Sequence, residues 1–267
     1  MKSKSISGKS TEEIKTALEE SIANGYQPTV AFVFISIKQD RNAICSLLTE
    51  HNIDILGATS SVEFTDGYQD EGSIVILLLD LNKSFYSIVF ECIGENKIND
   101  SATQLAKAAL QKFKNPSFLL LTTSLTADGK MLDGDAIINT MTNELGNEFH
   151  LFGGMAGDDL TFTGTYIFTN DQSTGYGMAA LVLDADKISL YGMAISGWKP
   201  IGLTKVITKS EGNTIYTIDD QPALDVYMRY LGSAVQDNVD QLVFFENLGN
   251  QYPFQIEREG RAPLMCN

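Results

Sequence analysis

The sequence predicts an α/β protein built from two internally duplicated α-β-α-β-β-β lobes, with mixed sheets sandwiched by helices, followed by the beginning of a second α+β domain. Apolar strands alternate with amphipathic helices, which favours a layered α/β fold. One order of elements occurs twice, in residues 11–93 and 101–195. The repeated pattern of helices and strands ends at Ser196, and a β-hairpin pattern follows. We therefore assign residues 1–195 to a duplicated domain and residues 196–267 to a second, shortened domain.

Each predicted lobe opens with a capped amphipathic helix. Ser10 and Glu13 have the spacing of a capping box, and apolar residues follow at helical spacing. Ser101 and Gln104 repeat that box in the second lobe. We expect the two helices to begin at these motifs.

An apolar strand follows each first helix. The runs at 28–35 and 116–121 each start with proline and show no polar alternation. Continuous apolar runs are typical of strands that are covered on both faces in parallel or mixed sheets.

A second helix and a short strand continue each lobe. Asp40 can cap the second helix of the first lobe, and either Asp133 or Asp135 can cap its counterpart. The short strands at 53–56 and 149–152 then lead into two polar turns that contain glycine.

Two strands are predicted to close each lobe. In the first lobe they are residues 73–79 and 86–90, and in the second they are residues 178–183 and 188–194. The beginning of the second domain is predicted as a hairpin at 206–218, a helix capped by Asp219 or Asp220, and a strand at 242–245.

Composition excludes several classes of partner. The 267-residue chain carries a formal charge of −15, which repels nucleic acid and anionic membranes. No apolar run is long enough to span a bilayer, and the polar start lacks the pattern of a secretory signal. The three cysteines are scattered and odd in number, which favours a reducing cytoplasm over a disulfide framework or a zinc site.

The two glycine-bearing turns are the candidate ligand site. Glycine lets backbone N–H groups approach a carboxylate, whereas neighbouring acids suit an ammonium group, so one crevice with both favours a zwitterion. Solvated loop charges and tight strand exits are the alternative explanation. The candidate ligand-binding residues are Gly57, Thr59, Ser60, Glu63, Asp66, Gly153, Gly154, Asp158 and Asp159.

Trp198 is the only tryptophan in the sequence. It is a candidate wall for a pocket where the two domains meet, because aromatic faces attract cations and interdomain clefts often bind ligands. A packing anchor for the second domain is an equally good interpretation.

These motifs together resemble the FIST domain family. The hallmark segment is residues 152–162, and residues 197–202 and 218–227 resemble the start of the family's C-terminal module. The resemblance implies an intracellular sensory domain that binds a small ligand such as an amino acid. It also implies a signalling partner of the kinase, chemoreceptor or cyclic-dinucleotide enzyme type.

Two other functions remain open from the sequence. A hydrolase or transferase could use the same turns with His51 or His150 as the base, although no triad spacing is present. A haem-dependent gas or redox sensor would need only one axial histidine. We expect a protein that is not an enzyme, has no metal site and has no obligatory cofactor.

Overall fold

A computed structural model describes residues 1–95, 97–126, 128–146, 148–161, 163–193, 197–212, 214–231, 249 and 251–257, together with the backbone of 264–266. The chain divides into two compact units, Met1–Tyr191 and Gly192–Asn267. The strand predicted at 242–245 lies outside the described residues, and so does residue 195, where the first domain was predicted to end.

The first unit contains twelve strands and four helices in the described residues. Its strands are β1 (Lys2–Gly8), β2 (Val30–Ser36), β3 (Asp54–Ser60), β4 (Glu63–Thr65), β5 (Tyr68–Asp70), β6 (Ile74–Asp80), β7 (Tyr86–Cys92), β8 (Pro116–Thr122), β9 (Leu151–Met155), β10 (Ile167–Phe168), β11 (Ser173–Thr174) and β12 (Gly177–Asp184). Its helices are α1 (Thr11–Ile22), α2 (Arg41–Glu50), α3 (Ile98–Lys112) and α4 (Gly134–Leu145). A short 3-10 turn, Lys83–Phe85, precedes β7.

Two mixed sheets organise the first unit. The first has the strand order β1-β6-β2-β3-β10-β11, and the second has the order β7-β12-β8-β9. Within them, β2 runs parallel to β3 and β8 runs parallel to β9, whereas their other pairs are antiparallel. The predicted α/β class is confirmed.

Three apolar clusters stack these elements in four layers. Helices α1 and α2 cover the outer face of the first sheet, where Leu18 and Leu48 pack against Val33. Helices α3 and α4 cover the outer face of the second sheet. The inner faces of the two sheets pack directly on each other, as Phe32 and Leu181 show. Both sheets are therefore covered on both faces, which explains why their central strands are continuously apolar.

The two halves repeat one arrangement, but the repeat starts earlier than the sequence indicated. Apart from the short strands β4, β5, β10 and β11, each half runs strand, helix, strand, helix, strand, strand, and in each sheet the fourth of these strands lies between the first and the second. The strand β1 was not predicted, because only Ile6 and Gly8 of its seven residues are buried. That the repeat arose by duplication stays a prediction.

Two strand assignments were wrong. Strand β7 was predicted to close the first half, yet it pairs with β12 and opens the second half. The expected strand at 188–194 does not form over its described residues, although Ile188 and Leu190 pack against the core between the sheets. Apolar content therefore misled the assignment at 188–194, whereas β7 forms as predicted and only its pairing partner differs.

Three of the five described α-helices have the N-cap residue that the sequence predicted. The side chains of Ser10, Asp40 and Asp133 accept hydrogen bonds from Glu13, Ala43 and Ala136. Helix α3 begins at Ile98 rather than Ser101, because Ser101 is fully buried inside the helix.

The second unit contains a three-stranded sheet, a separate two-stranded sheet and an α-helix in its described part. Its elements are β13 (Ile207–Glu211), β14 (Thr214–Ile218), β15 (Gln221–Pro222), α5 (Ala223–Tyr230), β16 (Phe254–Ile256) and β17 (Leu264–Cys266). Its core joins Ile218, Ala223 and Val226. The predicted hairpin is confirmed, but Asp219 and Asp220 form a left-handed turn and do not cap α5.

Gly57 is required by packing, whereas Gly154 is not. A Cβ on Gly57 would overlap the Phe168 ring, whereas a Cβ on Gly154 would meet open space. We expect Gly57→Ala to lower the free energy of unfolding by about 1–3 kcal/mol. The matched control Gly154→Ala should change it by less than about 0.5 kcal/mol. Urea denaturation measures both, and equal effects would contradict the assigned packing.

The Tyr86 hydroxyl ties β7 to the first sheet. It donates to the Asp54 carboxylate at 2.8 Å or to the Thr29 carbonyl at 2.9 Å. We expect Tyr86→Phe to lower the free energy of unfolding by about 1 kcal/mol near neutral pH.

Burial, and then the bond to Asp54, raises the pKa of Tyr86. The protonated Tyr86 hydroxyl therefore makes its full contribution to the free energy of unfolding below the tyrosine pKa of the unfolded chain, about 10. This contribution is lost as the pH rises toward the pKa of Tyr86 in the folded protein. Denaturant curves from about pH 7 to pH 11 should show the difference between wild type and variant shrinking. A difference that does not change with pH would contradict this assignment.

Candidate functional site

The carboxyl ends of the parallel strands lie at one edge of each sheet. In the first sheet Ser36 at the end of β2 pairs with Ser60 at the end of β3. In the second sheet Thr122 at the end of β8 pairs with Met155 at the end of β9. Ligands of α/β proteins commonly bind outside the carboxyl ends of such strands, so this edge is the first place to examine.

The two glycine-bearing regions meet at this edge. The backbone N–H of Ala156 donates to the carbonyl of Thr122 at 2.8 Å, and the next N–H, of Gly157, donates to the carbonyl of Thr59 at 2.8 Å. The chain therefore passes from the second sheet to the first within two residues. A Cβ on Gly157 would collide with Ser61, so this crossing is tightly packed.

The predicted turns are largely strands. Gly57, Thr59 and Ser60 belong to β3, and Gly153 and Gly154 belong to β9. The parallel neighbours β2 and β8 extend to the same level and hold both segments in the sheets. Glycine content was therefore a misleading turn signal here, because Gly57 and Gly153 make room for Phe168 and for the carbonyl of Leu120.

Most of the polar residues predicted in the first half are hydrogen-bonded within the protein. Glu63 is only 1% exposed, and its carboxylate accepts hydrogen bonds from the Ser60 hydroxyl at 2.6 Å and from both the backbone N–H and the hydroxyl of Ser73. The Thr59 hydroxyl is buried and accepts from the N–H of Tyr166 at 3.0 Å. Asp66 is exposed between β4 and β5.

Asp158 organises its own loop. Its Oδ2 accepts from the Thr163 N–H at 2.8 Å, from the Thr161 hydroxyl at 3.1 Å and from the Gly164 N–H at 3.2 Å. The residue is buried. Oδ2 is therefore used in holding the segment that follows the crossing.

Asp159 differs from these residues because the carboxylate oxygen without a donor among the described residues is a buried one. Its side chain is only 6% exposed, and Oδ2 accepts from the Ser36 hydroxyl at 2.6 Å and lies 3.3 Å from Nζ of Lys38. Oδ1 is buried and has no hydrogen-bond partner among the described residues. Asp159 and Leu160 both have φ of +56°, a conformation that residues with side chains rarely adopt. Such strain is often retained at functional sites.

Two basic residues follow β2 at this edge. Lys38 lies in the loop between β2 and α2, and Arg41 is the first residue of α2. Lys38 is 65% exposed and reaches Asp159. The Arg41 guanidinium lies over the Tyr166 ring, 3.9 Å from its centroid, and has no carboxylate partner in the described part of the chain. Stacking orients the guanidinium while leaving its N–H donors available for an anion.

Trp198 belongs to the second unit, where it is 48% exposed. The first unit does not contain it, so its role as a pocket wall stays a prediction.

Both histidines lie at the opposite end of the strands. His51 ends α2 just before β3, and His150 immediately precedes β9. The seven residues of β3 span about 20 Å, so neither histidine is positioned as a base for Thr59 or Ser60.

Two further kinds of feature are absent from the described residues. No three His, Cys, Asp or Glu side chains there come together as a metal site. No described helix combines the length and apolar character that crossing a membrane requires.

Sequence reasoning missed Ser36, Lys38, Arg41 and Tyr166. Three of these residues lie just around the end of β2, and the general rule that ligands bind at carboxyl strand ends could have selected them. Tyr166 carried no such signal, because only the fold brings it beneath Arg41.

Comparison with known families gives one match. The model of the FIST N domain matches residues 29–221. The matched range continues past residue 195, the predicted end of the first domain, and confirms the resemblance noted in the sequence. No curated protein matches the chain.

Removing the Asp158 carboxylate should loosen the segment after the crossing. We expect Asp158→Ala to lower the free energy of unfolding by about 2–3 kcal/mol, because it leaves two backbone N–H groups without their acceptor. Amide hydrogen exchange at Thr163 and Gly164 should also accelerate. The exposed Asp186, changed to alanine, is the control and should leave both measurements nearly unchanged. Slow exchange at these amides in Asp158→Ala would contradict the assignment.

Proposed function

The chain belongs to the FIST family of sensory signal-transduction domains, and from this premise we propose that it binds a small zwitterion, an amino acid, at the carboxyl ends of β2 and β3. One observation carries the proposal. The buried Asp159 carboxylate keeps an oxygen, Oδ1, for which the described residues provide no donor. An unsatisfied buried acceptor costs about 1–3 kcal/mol, and more when it is charged, so a ligand ammonium group that donates to it would recover that cost.

The positive groups support a ligand that also carries a carboxylate. Lys38 is largely exposed, and Arg41 is oriented by Tyr166. Guanidinium and ammonium groups bind carboxylates through charge-assisted hydrogen bonds. A ligand with one ammonium and one carboxylate would therefore match both charges of this edge.

The position of the site gives binding a route to a conformational response. Ser36 belongs to the first half of the repeat and Asp159 to the second, and their hydrogen bond joins the halves at the rim. A ligand that draws Asp159 Oδ1 toward itself changes the geometry of this joint. It can signal only if it binds one arrangement of the joint more tightly than another.

The proposal includes location and output. Cys45 and Cys92 are free thiols, which suits a reducing cytoplasm. The signal would pass to a kinase, a chemoreceptor or a cyclic-dinucleotide enzyme.

We propose no catalytic step, since the Ser36 hydroxyl is buried and already donates to Asp159. Neither a haem role nor a hydrolase role gains support from the positions of the two histidines.

A thermal-shift screen of the common amino acids tests this proposal. A ligand that binds only the folded state at about 100 times its Kd stabilises it by about 2.7 kcal/mol, which shifts the Tm by several degrees. We expect at least one amino acid to produce such a shift. Its N-acetyl derivative should not, because acetylation removes the ammonium group.

Two variants sharpen the result. Lys38→Gln, at an exposed position, should weaken amino-acid binding about tenfold without changing the fold, and Asp159→Asn should abolish it. Asp100→Asn, an exposed change on α3, is the matched control. The proposal fails if no amino acid shifts the Tm, or if the shift is the same in wild type and Asp159→Asn.

A further inference from the structure

A second, separate feature of the first unit is a cavity of about 320 Å³ at the amino end of β3. It lies where the two sheets come together beside the 3-10 turn that connects them. One wall is Asp54 and the loop from Thr169 to Gln172, which joins β10 to β11, and the other is Ser87, Ile88 and Phe90 of β7. This volume is at the lower end of the range for small-molecule sites.

The side of the cavity near Asp54 is held rigidly. The Asp54 carboxylate accepts from the Tyr86 hydroxyl at 2.8 Å and from Nζ of Lys83 at 3.1 Å. Lys83 also donates to the carbonyl of Asn52. These bonds engage two of the three N–H donors of the Lys83 ammonium, and the Asp54 carboxylate balances its charge, so its attraction for a ligand carboxylate is reduced.

The loop between β10 and β11 is equally fixed. The Asn170 side chain accepts from the N–H of Ile55 at 2.8 Å and donates to the carbonyl of Ile53 and the hydroxyl of Thr49, both at 2.9 Å. The next residue, Asp171, is therefore presented from a rigid loop. A rigid presentation reduces the entropy that binding must overcome.

Asp171 is the group that remains available. Its Oδ1 accepts from the Thr169 hydroxyl at 3.3 Å, whereas Oδ2 accepts no hydrogen bond from the described residues. The neighbouring Ile88 and Phe90 are partly buried members of the core between the sheets. The cavity thus combines a free carboxylate with an apolar floor.

From this combination we propose that the cavity binds a small organic ammonium ion with a short apolar tail. Asp171 receives the ammonium group, and the tail covers Ile88 and Phe90. Asp54 and Asp171 against Lys83 leave a local charge of −1, and the whole chain carries −15, so cations are concentrated here. An amino acid is disfavoured, because its carboxylate would face two aspartates with the lysine already engaged.

This site is independent of the one at Asp159. The two lie at opposite ends of β3, about 20 Å apart. An ion in the cavity would touch both sheets and the turn between them, so it would stabilise their present arrangement.

Methyl NMR of isoleucine-labelled protein tests the proposal with phenethylamine as the probe. The Ile88 δ1 signal, assigned by its loss in Ile88→Val, should shift saturably with a Kd of about 1–10 mM. The similarly sized anion 3-phenylpropionate should leave it in place. Asp171→Asn should weaken phenethylamine binding about fivefold, the range expected for one exposed ion pair.

Two controls separate the possible outcomes. Asp186→Asn, an exposed aspartate on another loop, should bind phenethylamine like wild type, and so should Asp159→Asn. Failure of amino-acid binding at Asp159 would leave this result unaffected. The proposal is overturned if phenethylamine does not move the Ile88 signal, if 3-phenylpropionate moves it equally, or if Asp171→Asn binds as well as wild type.

Discussion

The apolar layer between the two sheets is the constraint on which the rest of the first unit depends. Phe32 and Leu56 of one sheet pack against Leu181 and Leu183 of the other, and this burial supplies the main force that holds the halves together. Because each inner face is already apolar, polar groups are excluded from the middle of the unit. Functional chemistry is therefore confined to the two rims, where the sheets end.

The two rims are built differently. At the carboxyl ends of β2 and β3 the chain crosses between sheets through Ala156 and Gly157, and the polar groups there are tightly joined, with Oδ1 of Asp159 left over. At the amino end of β3 the connection between sheets leaves a cavity whose apolar floor is partly exposed. The first rim suits a ligand that replaces a missing hydrogen bond, whereas the second suits one that fills space beside a charge.

Local signals predicted some elements well and failed where pairing partners decide. The caps at Ser10 and Asp40 depend on neighbouring residues only, so their spacing was sufficient. Strand β1 alternates too weakly to be recognised, since it lies at a sheet edge and pairs only with β6. Strand β7 was recognised but placed in the wrong half, because nothing in its own residues says that it pairs with β12 rather than with the strands before it.

The sequence by itself determined the α/β class, the amphipathic helices with three of their caps and the apolar central strands, because periodicity and capping are local properties. Only the tertiary structure decided what each polar residue of the candidate site does. The Glu63 carboxylate and Oδ2 of Asp158 accept hydrogen bonds from groups that folding brings to them, whereas Asp159 receives Ser36 on one oxygen and no donor from the described residues on the other. That difference could not be read from the chain, since hydrogen-bond satisfaction depends on partners as many as 123 residues away in sequence.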